Sequence, residues 1–515
     1  MKKMPFLLLS GAALALAACQ PGGVPGLGSS SSHENHSEAP GSSSEGSESD
    51  LTYDNEGNPV FENVELDFWS ISIGSDGLIQ QGIVDKFNEE YAGKIHVNRA
   101  ERRHDEFSSA IVNTVINDPD EAPDIVQGHG ERLRELQSQG IYLPLEEAIE
   151  LSRIDFSRED FYANILDDLY LQDDAGNEHL YGFPLDVHSN VIVARKDIIE
   201  KNGFEVPTNF EEFIAVCQGL ADMAYEGKYQ YRPTAQTNPD LEWLTAPSGT
   251  KLFPWFMSIE ALDDALSYAI TGPVQNSTKM VDDRGLPAWN TQETIDYFEQ
   301  LRTYMYPTDG KRPIIKTAAA YDFISDFYQG NYIFCSTGPW NLQGYKTIFD
   351  SAIGLGDGGF AEGVAIIPLS NLFAMDESSP TASSIVGTSH AFSLTRTVES
   401  DVKKAACMVF ADYMSRQYVD WIKGGHLPMR KAAMEDEVLL NDPFYLEVGQ
   451  YLGKQENFTL GGITEYYSEV YGLEMNQGLN EVWHQTFNTQ TQGKSIADIV
   501  DEQYRNSISI IASYQ

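Results

Sequence analysis

Basic residues are scarce in this sequence: 34 Lys and Arg stand against 77 Asp and Glu, a net charge of −43. So acidic a surface repels nucleic acid and anionic lipid headgroups, which excludes both as partners and keeps the chain soluble. It would attract a cationic ligand, although scattered acids are first of all a solvated face. Cysteine is scarcer still, at four. Cys217, Cys335 and Cys407 lie far apart in apolar stretches with no CxxC pair, so no disulfide framework is expected and they read as small buried hydrophobes. Runs of 18 apolar residues are missing, which excludes a spanning helix. Also absent are HExxH, GxSxG, the GxxxxGK(S/T) loop, and a GxGxxG in its strand–helix setting. No enzyme chemistry, cofactor or metal is expected.

The first fifty residues carry the clearest signal. Lys2 and Lys3 precede an apolar run from Phe6 to Ala18 that closes on Leu16-Ala17-Ala18-Cys19. A charged start, a short apolar stretch and small residues before the cut describe an export signal over 1–18. The cysteine after the cut resembles a lipobox, so Cys19 is the expected site of lipidation. From Gln20 to Asp50 there is no Lys or Arg and almost nothing apolar. A segment like this cannot offset its own ordering entropy, and 19–60 is expected to be a tether from a lipid anchor, the sole membrane contact. Roughly 455 residues follow, room for two or three cores by the usual domain size. The whole sequence is 42% hydrophobic and 11% aromatic, the content of a globular protein.

Along that body, short apolar strands alternate with helical stripes. Val64–Phe68 alternates as a strand does, then Ile79, Ile83, Val84 and Phe87 fall at helical spacing. Lys94–Asn98 and Pro123–Val126 read as further strands, with helical stripes at 107–116 and 132–139. His188–Ala194, Asn331–Ser336 and Val364–Ile367 continue the series, with helices from Asn209, from Asn290 as N-cap, and over 402–414. The alternation argues for α/β packing with parallel strands.

Four collinear segments resemble the sugar-binding proteins of ABC importers, of the maltose-binding-protein type. They are Pro123-Asp-Ile-Val126 with Gly140-Ile-Tyr-Leu-Pro-Leu145, and Tyr181-Gly-Phe-Pro-Leu-Asp186 running on to Asn202–Phe213. The others are Gly330–Asn341, containing Gly338-Pro339-Trp340, and Gly424-Gly-His-Leu-Pro-Met-Arg430. Two departures stand out: Val193-Ala-Arg-Lys-Asp197 replaces the usual Tyr-Asn-Lys, and the body is long. The resemblance implies two α/β lobes, each a sheet flanked by helices, joined by hinge strands around a ligand cleft. It places the first lobe at 61–186 and 371–412 and the second at 187–370 and 413–515. It also implies a monomer that delivers a carbohydrate, oligosaccharide in size, to the transmembrane subunits of a permease.

A pyranose offers an apolar C–H face to an aromatic ring and a rim of hydroxyls to carboxylates, amides and Arg. Trp340 matches the family's stacking tryptophan, with Asn341 beside it, and Glu131 and Arg132 match its acid–arginine pair by offset. Asp186 and His188 fall at the first expected crossing. Trp69, Ser75 and Asp76 end the first strand, and Ser72 lies in the same loop. Trp243 and Trp255 flank a loop of the second lobe, His390 closes a Gly387-Thr-Ser-His390 segment that precedes a strand near the last hinge, and His426 and Arg430 sit in the Gly-His-Leu-Pro loop. Three rivals remain. Ferric ion is suggested by the Tyr466–Tyr467 pair, a polyamine by the acidity, and a surface glycosidase by the acids, which at 77 are too many for any spacing to inform.

Overall fold

A computed structural model of the chain describes residues 51–514 except 174, 259–263, 281, 283–285, 319–323, 354–358, 442–457, 461–477, 480 and 489–492. The expected export signal, Cys19, the expected tether up to residue 50 and Tyr466–Tyr467 lie outside the described residues. Within residues 51–60, also expected to be tether, the chain is paired. Thr52–Tyr53 pairs with Pro59–Val60 around a turn in which Asp54 Oδ1 accepts from the amides of Glu56 and Asn58. Tyr53 then donates to the Leu151 carbonyl at 3.1 Å.

In chain order, β1 (Val64–Ser70), α1 (Gly74–Glu90), β2 (Ile95–Glu101), α2 (His104–Asn117) and β3 (Ile125–His129) open the first lobe. β4 (Phe183–His188) is followed by β5 (Val191–Ala194), α3 (Phe210–Glu226), β6 (Trp255–Ser258), α4 (Gln292–Met305), β7 (Ile315–Ala318), β8 (Phe334–Thr337) and β9 (Ala365–Ile367). Then come β10 (Ile385–Leu394), α5 (Asp401–Arg416), β11 (Leu427–Pro428) and β12 (Phe458–Leu460). One sheet has the order β11-β4-β10-β3-β1-β2, with β12 also on β10; the other is β7-β6-β8-β5-β9.

Each sheet has a parallel heart: β1 lies between β2 and β3 in the first, and β6 between β7 and β8 in the second. The strands that arrive from the other sheet run the other way. β10 is antiparallel to β3 and β4, and β5 is antiparallel to β8 and β9. This corrects the expectation of parallel packing throughout. A strand arriving from the opposite lobe enters at the edge where the parallel strands finish, so it must travel against them.

Passage between sheets is abrupt at Ser189 and Asn190, the two residues separating β4 from β5. Ser189 Oγ donates there to the Val386 carbonyl at 2.6 Å. The return path leaves the second sheet at Ile367 and joins the first at Ile385. Gln275 pins it, its amide donating to the Leu369 and Ser384 carbonyls and its oxygen accepting from Phe373 N–H. The lobe boundary expected at residue 413 falls later. Tyr413 packs on Phe87 and Tyr91 of α1, and β11 fills the open edge of β4.

Local chemistry explains the element ends. Asn209 caps α3 by accepting from Glu212 N–H, while Glu212 reaches back to Thr208 N–H, a reciprocal capping pair. At α4 the cap is Thr291, accepting from Thr294 N–H at 3.3 Å, rather than the expected Asn290. Asn290 instead faces Asp501 at 3.5 Å. Asp124 of the Pro-Asp-Ile segment accepts from Asp67 N–H and from Lys403 Nζ at 2.8 and 2.9 Å, fastening β1 and α5 at the foot of β3. All three cysteines are buried, and burial pushes their thiols well up.

Arg195, the residue that departs from the family's usual triplet, is fully buried at the end of β5. Its Nε and one terminal nitrogen donate to the two Asp197 oxygens at 2.8 and 2.9 Å. The rest of the fork donates to the carbonyls of Phe327, Tyr328 and Arg232. Every N–H is thus paired, which a buried guanidinium requires. Asp197→Ala strands that charge and is expected to cost about 3–5 kcal/mol. A urea midpoint that barely moves would contradict this.

Candidate functional site

The first sheet presents its strand ends to the second lobe, and polar groups gather there although the strands beneath are apolar. β4 contributes Asp186 and His188, β10 contributes His390, and the residue before β11 is His426. All four are buried, at 0, 4, 4 and 3% exposure. The short β4–β5 passage keeps His188 at the rim, while β10 places His390 opposite Asp186 in register.

Asp186 is the hub. His390 Nδ1 lies 3.0 and 3.1 Å from its two oxygens, His188 Nδ1 lies 3.4 Å from Oδ1, and Trp421 Nε1 donates to Oδ2 at 2.6 Å. Burial favours the neutral acid, yet His390 and His426, with the hydrogen bonds from His188 and His390, hold the carboxyl well below its usual range. The His390 imidazole is driven well down by burial, against the pull of Asp186. Burial also opposes charge on His426, but Asp186 and Asp76 outweigh it and raise that imidazole. Asp76, in the first turn of α1, faces His426 Nε2 at 3.1 Å.

From the second lobe, a short turn at Pro339–Asn341 after β8 carries Trp340 to this floor. Its indole stacks on His426 at 5.9 Å and 11°, and meets His188 edge-on at 5.2 Å. The glycines of both motifs permit the approach. A Cβ on Gly425, whose φ is +79°, would lie 2.3 Å from the Pro339 carbonyl carbon, and one on Gly338 would strike the Trp340 ring at 2.1 Å. On the flank, the His129 ring of β3 lies 4.8 Å from that of His390, tilted by 30°, and its Nε2 lies 2.9 Å from His104 Nδ1.

Of the residues singled out in the sequence, Asp76, Asp186, His188, His390, His426 and Trp340 therefore converge. Asn341 is adjacent, its amide donating to Thr337 Oγ1 at 3.2 Å. Trp69 is half-buried under the Arg102 guanidinium at 3.8 Å. Ser72 is turned inward to Gln127, at 3.2 Å, and Ser75 is exposed in the first turn of α1. Arg132 faces Glu135 at 3.9 Å beside a cavity of about 10 Å³ between α2 and β3; of Glu131 only the backbone is described.

Three candidates lie elsewhere. Trp255 is wholly buried in the second core among Phe213, Tyr268 and Phe373. Trp243 sits by Arg232 and Lys201 near Arg195, at the end of β5 remote from the crossing. Arg430 turns back to Ser415, Asp412 and the Phe161 ring, so it braces α5. Trp421 and His104 were missed as site residues, and nothing local marks them; His129, which the sequence places after the Asp-Ile-Val segment together with Glu131 and Arg132, is the last residue of β3.

The sequence matches the family model of bacterial extracellular solute-binding proteins over residues 82–444, and the chain belongs to that family of non-enzymatic binding proteins. No curated protein matches it. Among solved structures, the sugar-binding protein MalE of Xanthomonas citri is similar, at TM-score 0.64 and 16% identity over 88% of this chain and 98% of that one. The GacH receptor of Streptomyces glaucescens, solved unliganded and with acarbose, gives 0.62 and 13% over 87% and 99%. UgpB of Mycobacterium tuberculosis, solved with glycerophosphocholine, gives 0.64 and 14% over 87% and 99%. At such identities the likeness is one of fold, the two-sheet periplasmic-binding-protein architecture of the MalE type, and the family gives the role of an extracellular solute-binding protein. No helix among the described residues is long and apolar enough to cross a membrane.

The Trp421–Asp186 hydrogen bond tests the hub. Trp421→Phe keeps an aromatic filler but deletes the donor to a buried anion, and is expected to cost about 1.5–3 kcal/mol. Denaturant unfolding with an unchanged slope and an unmoved midpoint would show that the bond contributes nothing.

Proposed function

We propose that the chain captures a carbohydrate, of oligosaccharide size, between its two sheets and hands it to the permease subunits of an ABC importer. It acts as a monomer held outside the cytoplasmic membrane by a lipid on Cys19. The observation that carries this reading is Trp340, an aromatic ring brought from the second lobe over a floor of carboxylate and imidazole groups in the first. Trp340 takes the C–H face of a pyranose, and Asp76 and the imidazole rim take hydroxyls, with Asn341 and Trp69 at the margin. The sugar-binding MalE and the acarbose-bound GacH receptor support the carbohydrate class. UgpB, bound to glycerophosphocholine, marks the alternative that a test must include.

The test is thermal unfolding of the Cys19→Ser chain with mono- and oligosaccharides, glycerophosphocholine, ferric citrate and spermidine. A ligand at 100 times its Kd adds about 2.7 kcal/mol, a rise of a few degrees for a protein of this size. The expected result is a rise with one glycan class and recovery of that sugar intact. A rise with only one of the other three compounds would replace the reading. Trp340→Ala is expected to cost about 1–3 kcal/mol of sugar affinity with little change in the melting of the free chain. Undiminished affinity would remove Trp340 from the site.

A further inference from the structure

Of the chain's ten histidines, His188, His390 and His426 meet in one buried cluster around Asp186. One ligating atom from each of the four lies within 4.8 Å of the other three. Ring centroids are 4.5 Å apart for His188 and His390, 5.1 Å for His188 and His426, and 5.2 Å for His390 and His426. Three imidazoles gathered this close in a buried site repel one another when protonated. Two atoms at the same place are buried without a hydrogen bond, His426 Nδ1 and Asp76 Oδ1.

We propose that Asp186, His188, His390 and His426 bind a divalent transition-metal ion of the zinc class. Three imidazoles and one carboxylate form a borderline-soft N/O donor set that suits zinc and disfavours magnesium or calcium, which take oxygen. Tetrahedral zinc wants neighbouring ligand atoms roughly 3.3 Å apart, so side-chain shifts on the order of 1 Å close the site. The surroundings hold hydrogen-bonding groups of the kind that orient metal ligands: Trp421 N–H on Asp186 Oδ2 and Asp76 on His426 Nε2. The two carboxylates, Asp186 and Asp76, supply the charge that one divalent ion balances.

All four ligands come from β4, β10 and the residue before β11, neighbouring strands of the first sheet. A cargo trapped by lobe closure would draw ligands from both lobes, whereas here the second lobe brings only the Trp340 ring. The ion is therefore a resident one that clamps three strands beneath the crevice. This goes beyond the carbohydrate reading and does not rest on it.

The test uses the untagged Cys19→Ser chain, stripped with a chelator and titrated with Zn2+ against a chromophoric competitor. One ion per chain is expected, with Mg2+ unable to displace it and a higher melting temperature when loaded. His390→Gln should weaken zinc at least about tenfold, while His33→Gln/His36→Gln, in the acidic N-terminal segment, should leave it unchanged. Should His390→Gln fail to fold, zinc-edge X-ray absorption of the wild-type chain decides by counting imidazoles, three being expected. Stoichiometric binding lost with His33 and His36, an ion with one imidazole or none, or no binding at all would overturn the proposal. Each readout is made without sugar, so it succeeds or fails independently of the carbohydrate panel.

Discussion

A carboxylate with no access to water must find its partners inside the protein, and Asp186 organises the centre of this molecule for that reason. Its burial is complete, so each lone pair left unmatched would cost several kcal/mol. The partners come from three stretches far apart in sequence: His390 across β10, Trp421 beyond α5, and His188 two residues on. To satisfy one anion the chain brings both crossing strands and the segment leading to β11 into fixed register. The result is a rigid floor on which Trp340 of the opposite lobe rests.

The second lobe is held by the same logic with the sign reversed. Arg195 buries a cation at the end of β5, and Asp197 with three backbone carbonyls saturates it. The two buried charges bracket the crossing: Asp186 sits before Ser189 and Arg195 after Ala194, one in each sheet. A hinge works only if its flanks are stiff, and a buried charge held by several hydrogen bonds stiffens each flank. The return path has its own clamp in Gln275, which accepts and donates to the connecting backbone at three points.

Much of the architecture was legible in the sequence because it follows from short-range rules. The alternation in Val64–Phe68 and the helical stripe ending at Phe87 are local signals that packing preserved, whereas the strand expected over His188–Ala194 is broken at Ser189 and Asn190 into the end of β4 and the whole of β5. The glycine motifs also had a local reason, since Gly338 and Gly425 sit where a Cβ would collide with the neighbouring lobe or with Trp340 itself. Strand direction was not legible. Whether β4 and β10 run with or against their neighbours depends on which lobe the chain arrives from, and no window of sequence carries that. The cap at Thr291 rather than Asn290 is a smaller case, decided by Asp501, more than two hundred residues away.

The candidate site divides along the same line. Through its family resemblance, the sequence pointed to a two-lobed solute-binding protein with an acidic surface, and it singled out Asp186, His188, His390, His426, Asp76 and Trp340 one at a time. Tertiary structure alone decided that they meet. It gathered His426 into the cluster and added Trp421 as a donor, sent Trp255 to the core, and turned Arg430 away to Asp412. The physical reason is that a tryptophan or an arginine is equally at home in a core, in an ion pair or in a crevice. Which it occupies is set by contacts hundreds of residues distant, while the periodicity that makes a strand or a helix is written within ten.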